Sequence, residues 1–252
     1  MDSVDAGTDP DPGATLVLVT GVSRQAGIGY AVAHRLADEG HRVACAGWSS
    51  YDQRMPWGAD VEGSELPGPL YEVDLEQPSA PPRLLAAVNR DLGPVGVLVL
   101  CHAESVDADI RTTTVEAFDR HMAVNARATW QLIQGFANQV EGHDGLRRIV
   151  AITSDHTAGN LPYGASKGAM DRIVLAAAVE LADLGVTANV VNPGPTDTNW
   201  MSAEIEEQVL ADNLQARLGQ PGDVANLVSF LCSQNGQWIN GQLLYSDGGR
   251  RR

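Results

Sequence analysis

Thr15-Leu16-Val17-Leu18-Val19-Thr20-Gly21-Val22-Ser23-Arg24-Gln25-Ala26-Gly27-Ile28-Gly29 decides how the rest of the chain is read. It opens on an apolar run of strand length and passes through a glycine-rich loop, and residues 30–39 that follow carry the helical period. Strand, glycine loop and helix in that order make a cradle for a pyrophosphate. Gly21 permits a sharp turn, Gly27 lets backbone approach the phosphates, and Gly29 lets the helix pack closely on the strand. A glycine-rich loop alone is often an ordinary turn; the flanking strand and helix supply the context that distinguishes the two.

Working outward, apolar runs at 42–46, 70–73, 95–100, 148–153, 186–191 and 242–245 alternate with helical stretches. This pattern predicts an α/β fold: a Rossmann-type, doubly wound parallel sheet of seven strands, counting the first, covered on both faces by helices. In such sheets the ligand crevice lies at the carboxyl ends of the strands. With 252 residues and 44 % hydrophobic content the chain can bury one large core, so a single domain over 14–252 is expected. Residues 1–13, rich in Asp, Gly and Pro and without the basic start and apolar run of a secretory signal, read as a disordered leader. The formal charge of −15 disfavours nucleic acid and anionic membrane as partners, and the short basic tail at 250–252 hardly changes that. No stretch approaches the ~20 apolar residues of a membrane span. Cys45, Cys101 and Cys232 are an odd set without metal-ligand spacing, which suits a reducing, cytoplasmic setting and predicts no metal site.

Tyr163-Gly164-Ala165-Ser166-Lys167 sets a phenol and an ammonium one helical turn apart, on one face of a helix expected over 163–184. A phenol alone ionises near pH ~10, and a fixed cation nearby favours the phenolate and brings it toward general acid–base service at neutral pH. By itself the pair is more often solvated helix decoration. Its meaning comes from the motifs around it.

Taken in order, Thr20-Gly21 through Gly27-Ile28-Gly29, Asn125, Ser154, Tyr163 with Lys167, Pro193-Gly194, and Asn240-Gly241-Gln242 with Asp247-Gly248-Gly249 resemble the short-chain dehydrogenase/reductases. The likeness is strongest to their 3-oxoacyl-carrier-protein-reductase-like members and runs over residues 15–249. It implies hydride transfer between NAD(P) and a small carbonyl compound or secondary alcohol. Tyr163 would then protonate the substrate oxygen, since a developing alkoxide is costly in a dry pocket. Lys167 would hold the phenol's pKa down and bind the nicotinamide ribose, Ser154 would bond the substrate oxygen, and Asn125 would organise a water-linked proton path. Cofactor contacts would fall to Gly21, Ser23, Arg24, Gly27, Ile28 and Gly29 in the loop, and to Trp48 after the second strand. Asp74 would meet the adenine amino group beside Leu75. Ala103, Pro193, Gly194 and Thr196 or Thr198 would complete the set, the threonine at the nicotinamide carboxamide. The second strand ends Ala46-Gly47-Trp48-Ser49-Ser50, with no carboxylate to repel a 2′-phosphate, so NADP is expected over NAD. Arg24 either supplies a cation to that phosphate or faces solvent.

The chain departs from the family pattern in two places. The stretch from Ser154 to Tyr163 is shortened, so Ser154 is the favoured hydroxyl, with Thr153 or Thr157 as alternatives. Cys101-His102-Ala103-Glu104 stands where the family commonly has Asn-Asn-Ala-Gly, which predicts altered support of the central strands at Cys101 and places Glu104 near the nicotinamide side. His102 and His156 are read as structural or solvent-facing rather than catalytic. A flap at 196–218, carrying Trp200, Met201, Ile205, Val209 and Leu214, either walls an apolar substrate or simply packs on the body. The resemblance implies a dimer or tetramer built through the helices after strands four and five and by pairing of the last strand. Ala169, Ala176, Ala177 and Ala178 suit either such a contact or packing on the sheet. The competing function is a catalytically poor NAD(P)-binding sensor or scaffold that kept the fold.

Overall fold

The computed structural model describes residues 14–60, 65–140, 145–201 and 203–249; the expected leader, the basic tail and the side chain of Ile205 lie outside the described set. Seven strands form one parallel sheet: β1 (Leu16–Thr20), β2 (Arg42–Gly47), β3 (Leu70–Glu72), β4 (Val97–Leu100), β5 (Arg148–Ile152), β6 (Thr187–Asn192) and β7 (Leu243–Tyr245). Their spatial order is β3-β2-β1-β4-β5-β6-β7, and every neighbouring pair is parallel. The expected fold is therefore the observed one. β1, β4, β5 and β6 are buried along their whole length, which is why they read as unbroken apolar runs rather than alternating ones. The strand order reverses between β1 and β4, and that switch point opens the crevice at the carboxyl edge.

Helices α1 (Ile28–Asp38), α2 (Ser49–Arg54), α3 (Ala80–Leu92), α4 (Val115–His121), α5 (Ala128–Val140), α6 (Leu161–Glu180), α7 (Ala203–Asp212) and α8 (Pro221–Cys232) connect and cover the sheet. The two-residue period of β1 divides its side chains between two cores. Leu16 and Leu18 join Leu98, Phe136 and Met170 beneath α3, α5 and α6, whereas Val17 and Val19 join Val32, Leu36 and Val228 beneath α1 and α8.

Residues 115–140, whose sequence reads as one long amphipathic helix, do not form a continuous one. A π-helical turn at Met122–Arg127 separates α4 from α5 and turns Asn125 fully inward; amphipathic periodicity continues across such a turn, so the sequence pattern did not show it. The helix carrying Tyr163 starts two residues earlier than expected, at Leu161, with Pro162 in its first turn, where a missing N–H costs nothing. It gives way to a 3₁₀ turn at Ala182–Leu184. Ala177 and Ala178 pack in the core, while Ala176 faces outward.

Candidate active site

The glycine loop has the steric character its sequence implied. Gly21 has φ +75, and a Cβ on it would lie 2.7 Å from the Cys101 carbonyl carbon; one on Gly29 would lie 2.3 Å from the Gly21 carbonyl oxygen. Gly27 caps α1 without a side-chain hydrogen bond, so the first-turn N–H groups are left for an anion. A cradle that any Cβ would fill, at an uncapped helix start and a switch point, fits the pyrophosphate of a dinucleotide.

From this loop opens a crevice of about 430 Å³. Its walls include Ser23, Arg24, Ile28 and Ala103 on the loop side, Ser154, Tyr163 and Lys167 across from them, and Pro193, Gly194, Thr196 and Thr198 beyond β6. A smaller recess of about 60 Å³ shares Gly21, Ser23, Tyr51 and Ala103 with it and holds Trp48, Asp74 and Leu75. Of the residues expected at the site, Asn125 and the alternative hydroxyl residue Thr157 line neither cavity.

Tyr163 lies in the first turn of α6 and lines the crevice with Ser154, whose hydroxyl acts to lower the phenol's pKa. The His156 N–H donates to the Ser154 hydroxyl at 3.2 Å, and the His156 ring stands edge-on to Tyr163 with centroids 6.3 Å apart. Thr153 also lines the crevice, but its hydroxyl is buried and makes no hydrogen bond. The Lys167 ammonium donates to the Ile152 carbonyl at 2.9 Å and lies 5.8 Å from the centre of the Tyr163 ring. The electrostatics differ from the expectation. Burial pushes the phenol up to about 12 against the opposing effect of Ser154, so desolvation outweighs any pull from the lysine. It is the lysine that is moved toward neutrality: burial brings Lys167 down to about 8, with Cys101 and Asp171 working the other way.

The altered motif after β4 finds its support elsewhere than Cys101. His102 Nδ1 is 2.7 Å from the Thr20 hydroxyl and Nε2 is 3.2 Å from the Val124 carbonyl. A carbonyl can only accept, so Nε2 carries the proton and Nδ1 accepts from Thr20. The neutral ring thus ties the ends of β1 and β4 to the π turn, and burial lowers its pKa to about 3. Asn125 works beside it: its amide accepts from the Glu104 N–H at 2.7 Å and donates to the Glu104 carbonyl at 2.9 Å and the Ser166 hydroxyl at 2.8 Å. Ser166 in turn donates to the Tyr163 carbonyl. Asn125 therefore braces the segment after β4 against the helix turn that carries Tyr163 and Lys167.

Two expectations about charge need correction. The end of β2 lacks a carboxylate, but Asp52, one turn into α2, reaches back to the glycine loop and accepts from the Ser23 hydroxyl at 2.5 Å. Arg24 does not face solvent: it donates to the Thr198 carbonyl at 2.7 Å, lies 3.9 Å from Asp52 and sits over Trp57. Asp52 was illegible as a site residue because only the fold of α2 returns it to β1. Glu104 lines the small recess beside Asp74, not the large crevice, and pairs with Arg54 at 2.5 Å. In the flap, Trp200, Met201 and Val209 line the crevice, and Leu214 is exposed. Among the described residues no group of three or more His, Cys, Asp or Glu side chains could hold a metal ion, and no helix is long and apolar enough to cross a membrane.

A seven-stranded switch-point sheet with a glycine cradle and a Tyr-Lys pair in one crevice defines a dinucleotide-dependent oxidoreductase class. A family model described as enoyl-(acyl carrier protein) reductase matches residues 21–251, and the chain belongs to the short-chain dehydrogenase/reductase family. It is 32 % identical to the uncharacterized oxidoreductase YjdA of Bacillus subtilis, over 93 % of this chain and 96 % of that one. It is 34 % identical to NADPH-dependent aldehyde reductase 2 of Arabidopsis thaliana, covering 93 % of each. The 3-oxoacyl-[acyl-carrier-protein] reductase MabA of Mycobacterium tuberculosis is also 34 % identical, over 92 % of this chain and 91 % of its own. Among solved structures, a blue fluorescent protein from a metagenomic library in complex with NADPH superposes with a TM-score of 0.79 at 30 % identity, covering 93 % of this chain and 97 % of that one.

Proposed function

We propose that the protein is an NADP(H)-preferring oxidoreductase acting on a small carbonyl compound or secondary alcohol, with Tyr163 as the group that gives and takes the proton. The observation that carries this reading is the convergence of Tyr163, Lys167 and Ser154 on the crevice that begins at the glycine cradle. A relative named for NADPH dependence and a structural neighbour in complex with NADPH support the coenzyme.

When bound, the nicotinamide supplies or accepts the hydride. The chain's residues do the rest. Gly21, Gly27 and Gly29 admit the pyrophosphate, with Ser23, Arg24 and Ile28 beside it. Trp48, Asp74, Leu75 and Ala103 take the adenosine end, and Pro193, Gly194, Thr196 and Thr198 flank the nicotinamide end. A phenol pushed up to about 12 keeps its proton at neutral pH, which suits a general acid toward a carbonyl oxygen; Ser154 orients that hydroxyl and can bond the same oxygen. Lys167, near 8, can return a proton to the phenol. Asn125 positions the helix turn that carries both. Trp200, Met201 and Val209 exclude water from the reacting atoms. The assembly is a cytoplasmic homodimer or homotetramer, and its partner is the small-molecule substrate rather than nucleic acid or membrane. A second reading, an NAD(P)-binding sensor, is favoured by the engagement of Arg24 with Asp52 and Thr198.

NADPH and NADH oxidation measured across aldehydes, ketones and 3-oxoacyl thioesters tests the proposal. We expect turnover with NADPH, its kcat/KM about tenfold or more above that with NADH. Tight NADPH binding without turnover of any carbonyl would establish the sensor instead.

A further inference from the structure

The substrate end of the crevice carries a feature the hydride chemistry does not need. Asp107 lines the crevice with Tyr163 although it lies on the segment that follows β4. It is fixed there by Asn160, which is 2 % exposed and whose amide donates to one Asp107 oxygen at 2.7 Å and to the Ser105 hydroxyl at 3.1 Å. Asn160 immediately precedes α6, and the next N–H, of Leu161, donates to the Ala108 carbonyl at 2.8 Å. The carboxylate is thus docked on the turn that carries Tyr163 three residues later. From this segment Ser105 and Asp107 line the crevice, beside Asp155, His156 and Asn160 of the shortened stretch. The second Asp107 oxygen has no hydrogen-bond partner among the described residues.

The charges around it are one-sided. Asp155 also lines the crevice, and the lysine and arginine that do so are engaged elsewhere: Arg24 on Thr198 and Asp52, Lys167 on the Ile152 carbonyl. Asp107 is exposed, but its carboxylate is held by Asn160 with one oxygen open, on a crevice wall it shares with Asp155, and that arrangement favours a donor that carries positive charge over phosphate-bearing thioesters. Trp200, held by stacking on Trp57 with centroids 4.9 Å apart, adds an aromatic wall compatible with a cation.

We infer that Asp107 determines specificity: the crevice takes a carbonyl compound or alcohol bearing an ammonium group, which the Asp107 carboxylate binds. This rests on the preceding reading only for the identity of the reacting group. The test is a series of ketones sharing one carbon skeleton and ending in ammonium, hydroxyl, methyl or carboxylate, assayed with NADPH; the matching alcohols are titrated calorimetrically into the protein loaded with NADP. We expect kcat/KM and affinity to be highest for ammonium and lowest for carboxylate, with about 10- to 100-fold between ammonium and methyl. Asp107→Asn, which keeps the Asn160 hydrogen bond, should erase that gap while leaving the methyl compound unchanged. Equal or better handling of methyl or carboxylate by the wild type, or a gap that survives in Asp107→Asn, overturns the inference. Ammonium-selective binding without turnover would uphold it and count against the catalytic reading alone.

Discussion

At the residue scale the site depends on a half-buried phenol and a buried ammonium displaced in opposite senses. Lys167, brought down to about 8, is an ammonium below that pH and neutral above it. Carbonyl reduction that uses its charge should therefore show kcat/KM level on the acid side and falling as pH rises through about 8; a profile level to pH 10 would remove the lysine from the proton path. His102 gives a stability signature of its own. Its unfolded imidazole takes a proton below the ordinary 6.5, the folded one only near 3, so between these values the unfolded state holds more protons and stability falls as pH drops. His102→Asn removes that term, and its melting temperature should decline less than the wild type's between pH 6.5 and 4. Tyr163 and Lys167 were legible because helical spacing puts both on one face. Asp52, His102 and Asn160 were not, because each acts on a partner far away in sequence that only the folded sheet brings near.

At the element scale the π turn at Met122–Arg127 positions the site through Asn125, which lines neither cavity. It turns Asn125 inward to satisfy both backbone groups of Glu104, groups that would otherwise be buried unpaired. Asn125→Ala should cost about 1–3 kcal/mol in urea unfolding and lower kcat more than NADPH affinity. Loss of affinity with kcat intact would contradict the bracing role. Strands were read closely from their apolar runs because burial on both faces leaves a plain signal. The π turn was missed because one inserted residue barely disturbs an amphipathic pattern, and the early start of α6 because Asn160-Leu161-Pro162 reads equally well as a turn.

At the scale of the whole molecule, apolar side chains remain exposed where the family resemblance implies contacts between copies. Val179 on α6 is 77 % exposed and Trp238, close before β7, is 96 % exposed; such surface is commonly covered by another chain. Sedimentation should find a dimer or tetramer, and Val179→Glu should shift it toward the 26.7 kDa monomer. A wild type that sediments as a monomer would refute the assembly. The parallel sheet and its crevice follow from patterns local to each element. Crevice residues such as Asp52 and Asp107 do not, since they arrive from neighbouring connections.

The central claim is that the Tyr163 hydroxyl supplies the proton. Tyr163→Phe keeps the ring and its packing and removes that hydroxyl alone, so NADPH affinity by fluorescence titration and single-turnover NADPH oxidation should be measured on the same preparation. The account predicts affinity within about twofold of wild type and a rate lower by about 10²- to 10⁴-fold; wild-type turnover by Tyr163→Phe would contradict it.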